Sequence, residues 1–428
     1  MRALSALAVF ALAWGALTGC SSARMSDHES DSLFRQGQYE AAATRLQKGL
    51  DEHGTDSRDS LLYLLDIGLA YNTAGKYEES IKAFLKADKI AEIKDYTSLA
   101  TESATVLTSD NIKDYKGEDF EKVLINAYLA LDYAMLGNTE DALVEARRVN
   151  HKLHLMKTDG KRNYEYSAFA RYMSGILYEA EGDANNAYID YKEVYRIQPG
   201  FPEIGKDLWR TAWLSHMSDA MDEWDEAFHL SKADHEAAKK SAPRSGLGEI
   251  IVVYQNGISP IKRPHPNFSS IPKFYPRHNP VMSADIEIAS AQVAPSQFAQ
   301  VDWKKVGTSA MLDNIEKASI EALDEKYAGI VARKLAGVVA KEAVGYAVAE
   351  KTNSPLLGFL TKVALYASDQ ADLRSWNLLP HDLQVLRIPV EPGTYRVRAL
   401  PGGGAPTPDK TIQVLAGKKV FVTFRYMP

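Results

Sequence analysis

One cysteine, Cys20, stands in 428 residues, so no intramolecular disulfide can form. An excess of one charge is missing too: 50 Lys and Arg are mixed along the chain with 56 Asp and Glu. No long like-charge run marks a tail, and the slightly acidic balance argues against nucleic acid, which needs a basic footprint. Metal and catalytic signatures are also absent. His229 and His235 lie six apart, and His151 and His154 three apart without a third ligand. There is no His-Glu-x-x-His, no Gly-x-Ser-x-Gly and no phosphate loop. The expectation is a non-enzymatic protein with no cofactor, no metal and no small-molecule substrate.

What is present begins at the N-terminus. Arg2 supplies a positive charge, Ala6 to Leu17 an apolar run, and Thr18-Gly19 small residues before a cut. Such a segment is too short and wrongly flanked for a spanning helix, and reads as a secretory signal over residues 1–19. Cys20, directly after Leu17-Thr18-Gly19, resembles the cysteine of the bacterial lipoprotein signal. The resemblance implies that its thiol takes a diacylglycerol and that the mature protein carries three acyl chains. Each buried methylene would contribute about 0.8 kcal/mol to anchoring. Ser21 stands where an aspartate would mark inner-membrane retention, so the resemblance implies an outer-membrane anchor facing the periplasm.

The first half repeats itself. Gly37-Gln38-Tyr39-Glu40-Ala41-Ala42, Gly75-Lys76-Tyr77-Glu78-Glu79-Ser80, Gly137-Asn138-Thr139-Glu140-Asp141-Ala142 and Gly182-Asp183-Ala184-Asn185-Asn186-Ala187 share one pattern. Gly68 and Tyr71 precede the second unit, Ala130 and Tyr133 the third, Gly175 and Tyr178 the fourth; Pro199 closes the last. A small upstream residue lets two helices approach, a tyrosine fills the groove beside it, and the central glycine accepts positive φ at the turn. The pattern resembles the tetratricopeptide repeat (TPR), best in the units with Gly68, Tyr71, Gly75 and Tyr77, and with Gly175, Tyr178, Gly182 and Pro199. Spacing departs from the family's period of about 34 residues. The turn glycines at 75, 137 and 182 lie 62 and 45 apart, which requires an added element near Asp95 to Phe120 and a polar loop at Lys157 to Asn163. In the third unit Thr139 and Ala146 replace the usual aromatics and leave room that a partner side chain could fill. Stacked helical pairs leave a concave surface, here expected to hold a protein segment. One helix from about Phe201 to Lys240, with Leu208, Trp209, Ala212, Trp213 and Met217 at helical spacing, is expected to cap the array.

Composition shifts at 241–248, a linker with proline, glycine and serine where proteolysis is expected to cut between independent halves. Glu249 to Tyr254 reads as a buried strand, ended by a turn at Asn256-Gly257. Between Ser259 and Pro280 six prolines forbid helix and central strand, while Lys262, Arg263, Lys273 and Arg277 alternate with Phe268, Phe274 and Tyr275. This basic aromatic loop either packs on the domain or contacts a partner, an anionic glycan or a lipid headgroup. Ser270-Ile271-Pro272-Lys273 and Ser109-Asp110-Asn111 match two motifs of penicillin-recognising enzymes. Their order is reversed, a Lys-Thr-Gly is lacking, and Pro272 stands where the nucleophile helix should run. Asp313 to Lys351 is a long helical pattern with Ala328, Ala332, Ala336 and Ala340 on one face. It is expected to pack on a second helix from Pro355 to Ala367, or to lie on a membrane or partner. Leu383 to Val390, Thr394 to Ala399, Thr411 to Leu415 and Val420 to Arg425 alternate as an antiparallel meander.

With the lipobox, the repeats and the stretch Asp372 to Pro380, most of the chain resembles an uncharacterised family of proteobacterial TPR outer-membrane lipoproteins. The expected fold is α+β, mainly α. A TPR-like solenoid over 20–240 precedes the 241–248 linker and a C-terminal α+β domain over 249–428. That domain carries a helical hairpin at about 313–369 and a small antiparallel β-sandwich with strands at 249–254 and 383–425. The resemblance implies a scaffold that binds an envelope protein through its TPR groove, in peptidoglycan synthesis or envelope assembly. A glycan-binding protein or an enzyme using the 262–278 loop is the alternative.

Overall fold

The computed structural model describes residues 22–101, 113–158, 167–243, 245–291, 301–367, 369–402 and 404–428. Cys20 and Ser109-Asp110-Asn111 lie outside them. Five helical hairpins come first: α1 (His28–Arg35) with α2 (Tyr39–His53), α3 (Ser60–Ala74) with α4 (Tyr77–Thr101), and α5 (Asp119–Met135) with α6 (Thr139–Thr158). The fourth pairs α7 (Ala168–Ala180) with α8 (Ala184–Ile197), the fifth α9 (Ile204–Leu214) with α10 (Ser218–Phe228), and α11 (Lys232–Lys240) ends the array.

All five turns are built alike. The N–H groups of Gly37, Gly75, Gly137, Gly182 and His216 reach back to Phe34, Asn72, Ala134, Glu179 and Trp213. The next residue in each turn reaches the carbonyl five positions earlier, as Lys76 does to Tyr71 and Met217 to Ala212. This double closure needs one left-handed residue. Four turns use glycine at φ 74° to 82°, and the fifth uses His216 at φ 57°. The expected single helix over 201–240 is therefore three helices: its turn carries no glycine and so left no mark in the sequence.

Small residues set the packing within a hairpin. A Cβ on Gly68 would stand 2.6 Å from the Phe84 ring, and one on Gly175 would stand 2.5 Å from the Tyr191 ring. In the third hairpin the equivalent pair is Ala130 with Ala146, both buried. Two methyls there replace a glycine and a ring, so neighbouring side chains close the room expected beside Ala146. The added element near 95–120 is partly a longer α4 and partly a return segment, where Tyr115 donates its N–H to Arg58 O at 2.8 Å.

The second half contains β1 (Gly248–Asn256), β2 (Ile261–His265), β3 (Phe268–Tyr275), β4 (Ala284–Ser290), β5 (Lys304–Thr308) and β6 (Ala310–Asn314). Helices α12 (Ile315–Thr352) and α13 (Pro355–Ala367) form an arm. Then follow β7 (Asp382–Val390), β8 (Gly393–Pro401), β9 (Lys410–Val414) and β10 (Lys419–Arg425). Two four-stranded sheets, β10-β1-β7-β6 and β5-β4-β8-β9, face each other across Ile250, Val252, Tyr254, Ile286, Val397 and Val414.

The sandwich is as expected, but its wiring is not a meander. The chain crosses between sheets after β7 and again after β9, and β10 pairs in parallel with β1. Alternation of apolar and polar residues is the same whichever neighbour a strand finds, so the pattern could not reveal this. The 259–280 stretch is a two-stranded ribbon, β2 with β3, not a loop. Pro264 sits opposite Pro272 there, and a ribbon with two free edges tolerates both missing donors.

Besides the interior of the sandwich, the two halves share a core. Ile251, Val253, Leu383, Val385 and Phe421 of the first sheet, with Trp376, join one apolar cluster with Phe84, Tyr128 and Tyr172. Residues 241–248 connect parts that share a core. This is why Ile250-Ile251-Val252-Val253-Tyr254 is an unbroken apolar run: β1 is buried on both faces.

Candidate functional site

The inner face of the solenoid is the first place to look for a partner, and it is filled. Helices α3, α5, α7 and α9 turn towards the first sheet and the segment before it. Phe84, Tyr128 and Trp376 form an aromatic trio with ring centroids 5.7–5.9 Å apart. Beside it a buried polar chain runs from the Tyr128 hydroxyl to Gln255 Oε1 at 3.1 Å, from Gln255 Nε2 to Asn72 at 3.0 Å, and from Asn72 to Asp132 at 2.6 Å. No cation balances Asp132 among these contacts, and burial pushes its carboxyl up to about 8. The hydroxyl of Tyr77, read as a repeat residue, meets the Thr423 side chain of β10. The expected peptide groove is the seat of the protein's own sandwich.

An ionic cluster locks that seat. Arg387 of β7 grips Glu249 through two bonds, at 2.8 and 2.7 Å, and reaches Glu179 and Asp207 at 3.0 Å each. Arg210 holds Glu179 at 2.7 Å and Asp207 at 2.6 Å, Lys419 bonds Glu249, and the Tyr191 hydroxyl donates to Glu179 at 2.7 Å. Three cations thus meet three carboxylates, all buried, across α7, α9, β1, β7 and β10. Burial opposes charge on Glu249, but Arg387 and then Lys419 outweigh it and hold that carboxyl down at about 2. The cluster is structural.

The residues singled out in the sequence scatter. Gly68, Gly75, Gly175 and Gly182 hold helix contacts and turns; Tyr71 and Tyr178 pack against the core; Pro199 follows the end of α8. Lys262, a candidate partner contact, is instead buried, bonded to Glu118 at 2.7 Å and to the Arg374 carbonyl at 3.2 Å. The N-terminus of α5 brings Glu118 there, and Lys326 of α12 shares it at 2.9 Å. Arg277 is half-buried and pushed down to about 10 by burial. Only Arg263 and Lys273 remain exposed; they face each other in register across the ribbon, with exposed Phe268 at its tip. Ser270 and Lys273 lie on a strand, not on a nucleophile helix.

Two features went unread in the sequence, and a third, the arm, was read there only as an alternative. Arg24, four residues after Cys20, is fully buried between Asp66 at 2.6 Å and Asp31 at 2.8 Å, while Ala23 N–H bonds Asp59 at 2.8 Å. A cleft of about 450 Å³ between α2 and β10 is lined by Tyr39, Thr407, Lys410 and Arg425. Burial holds Lys410 down at about 8, and Arg425 Nε and Nη1 are buried beside the cleft with no hydrogen-bond partner among the described residues. Last, the α12–α13 arm leaves large apolar side chains in solvent. Each depends on residues far apart in sequence. Among the described residues, no group of three His, Cys, Asp or Glu is placed to hold a metal.

No family model and no curated protein matches the chain. Among solved structures, MamA protein is similar at 16% identity and a TM-score of 0.32, over 50% of this chain and 91% of its own. A tetratricopeptide repeat protein from Parabacteroides merdae overlaps 49% of this chain and 68% of its own, at 13% identity and a TM-score of 0.32. A Podosopora anserina chain of nearly identical TPR-like repeats overlaps 51% and 97%, at 14% and 0.33.

Proposed function

We propose that this chain is a non-enzymatic scaffold lipoprotein, anchored through Cys20 to the outer membrane, that holds an envelope protein in peptidoglycan synthesis or envelope assembly. The observation that carries this reading is the fastening of the chain directly after the lipobox. Ala23 and Arg24 are tied into the body by Asp59 and Asp66. A lipid on Cys20, three residues earlier, would hold one defined side of the protein at the bilayer rather than let it swing on a tether. With the TPR groove occupied from within, we assign the partner surface to the β2–β3 ribbon, a reading supported by the exposure of Arg263, Lys273 and Phe268.

Two experiments test this. Cys20→Ser should move the protein out of the membrane fraction, and unchanged fractionation after signal removal would end the lipoprotein reading. A photo-crosslinker at Phe268 should capture one dominant envelope protein, and Arg263→Glu with Lys273→Glu should abolish the adduct. Capture from solenoid positions alone would move the partner off the ribbon. A small anionic ligand is the second reading, favoured by the unpaired donors of Arg425 in the cleft. Calorimetric heat on adding inorganic phosphate, lost in Arg425→Met, would support it.

A further inference from the structure

Helix α12 has 38 residues, about 57 Å of helix, and changes character along its length. Its start is packed: Ile315, Ser319, Ala322 and Leu323 are buried, and Lys326 ties it to Glu118 and Asp119. Beyond Tyr327 it meets mainly α13. The seam is tight, with Gly345 against Lys362 and Gly358 against Ala349, and Asp369 grips Lys334 and Lys341 at 2.6 Å each. Away from the seam the arm is apolar and uncovered. Leu335 is 63% exposed, Val339 70%, Tyr346 68% and Phe359 62%, and Val338, Leu356 and Val363 are exposed with them. Helical periodicity places Leu335, Val339 and Tyr346 on one stripe of α12, and Leu356, Phe359 and Val363 on one stripe of α13. An exposed patch of this kind marks a surface meant to be covered.

Two observations say by what. Of the five basic side chains on the arm, Lys334 and Lys341 are taken by Asp369 and Lys362 by Glu342, so Arg333 and Lys351 face solvent against Glu350 and the exposed face is weakly basic, although the whole chain is acidic at −6. Two copies meeting arm to arm would set like charges together, whereas an anionic lipid surface complements them. The second observation is position. Ala23 and Arg374 bond opposite oxygens of the same Asp59 carboxylate, at 2.8 and 3.3 Å. Five residues before Arg374 is Asp369, the grip on the arm, so at most about 18 Å of chain separates the two. The fastened N-terminus and the middle of the arm therefore sit on the same side of the body. Among the described residues no helix is long and apolar enough to cross a membrane, so lying on it is the geometry that fits.

We infer that the α12–α13 arm lies on an anionic phospholipid surface, as a second, non-covalent contact with the bilayer that Cys20 anchors. This rests on the lipoprotein reading for its orientation, and the test separates the two. A chain beginning at residue 20 and carrying Cys20→Ser, which has no lipid, is floated with vesicles of phosphatidylglycerol and phosphatidylethanolamine and with vesicles of phosphatidylcholine alone. It should rise with the anionic vesicles and less with the neutral ones. Leu335→Glu with Val339→Glu and Phe359→Glu should reduce flotation by at least about tenfold, since carboxylates replace the inserted apolar groups. The circular dichroism of that variant should match the parent, because the changed residues are exposed.

Absence of flotation by the Cys20→Ser chain overturns the inference, even if the wild type proves acylated. So does light scattering that shows a dimer in the parent and a monomer in the arm variant, since a second copy would then be the cover. If the wild type carries no lipid but the arm still floats, the lipoprotein reading fails and the inference stands.

Discussion

Helix α3 and the outer part of α12 both carry large apolar side chains on faces turned away from their hairpin partners, yet those of α3 are buried and those of α12 are bare. In α3, Leu61, Leu62, Leu64, Leu65, Ile67 and Leu69 are all buried, because neighbouring hairpins cover one side and the sandwich the other. In α12 only Gly337, Lys341 and Gly345 are buried beyond Leu323, all facing α13. A helix without a polar face needs cover on all sides. The body supplies it to α3 from its own chain, whereas nothing among the described residues covers the outer face of the arm. The same contrast holds for charge, since Arg210, Arg387 and Lys419 of the body are neutralised by buried carboxylates while Arg333 and Lys351 of the arm face solvent.

The sharpest way to break this contrast is at the ionic cluster between solenoid and sandwich. Arg387→Met strands Glu249, Glu179 and Asp207 without one of their cations, and should cost about 3–5 kcal/mol in urea unfolding. A change below about 1 kcal/mol would mean that the sandwich does not depend on the solenoid. Next in size, Gly68→Leu and Gly175→Leu should each lose about 1–3 kcal/mol, because a side chain there collides with Phe84 or Tyr191. Undiminished thermal stability of both variants would contradict close packing within the hairpins.

A pH titration sharpens the contrast further. Asp132, raised from 3.8 to about 8 by burial, binds a proton in the folded state that the unfolded chain releases near pH 4. Between those values the folded state holds more protons, so this group's contribution falls as pH rises, by about 1.4 kcal/mol per unit at most. Asp132→Asn should flatten the stability profile between pH 4 and 8, and an unchanged slope would place the proton elsewhere. The smallest effect belongs to the arm: Phe359→Ser should shift stability by no more than about 0.5 kcal/mol while weakening vesicle binding. A large loss of stability would show that the arm is covered by the body after all.

Local chemistry alone determined a good part of this protein. The turn glycines 37, 75, 137 and 182, the close-approach glycines 68 and 175 and the helical period of the arm each follow from contacts within one or two elements. Such contacts leave a fixed spacing in the chain. Tertiary structure decided the rest. His216 took a left-handed turn that only its neighbours enforce, and β10 crossed to pair in parallel with β1. Lys262 went inward because Glu118, 144 positions away, was waiting for it. Above all, the groove expected to receive a partner received the sandwich of the same chain. Local pattern shows that a surface is apolar; what covers it depends on which distant segment, or which other molecule, comes to lie against it.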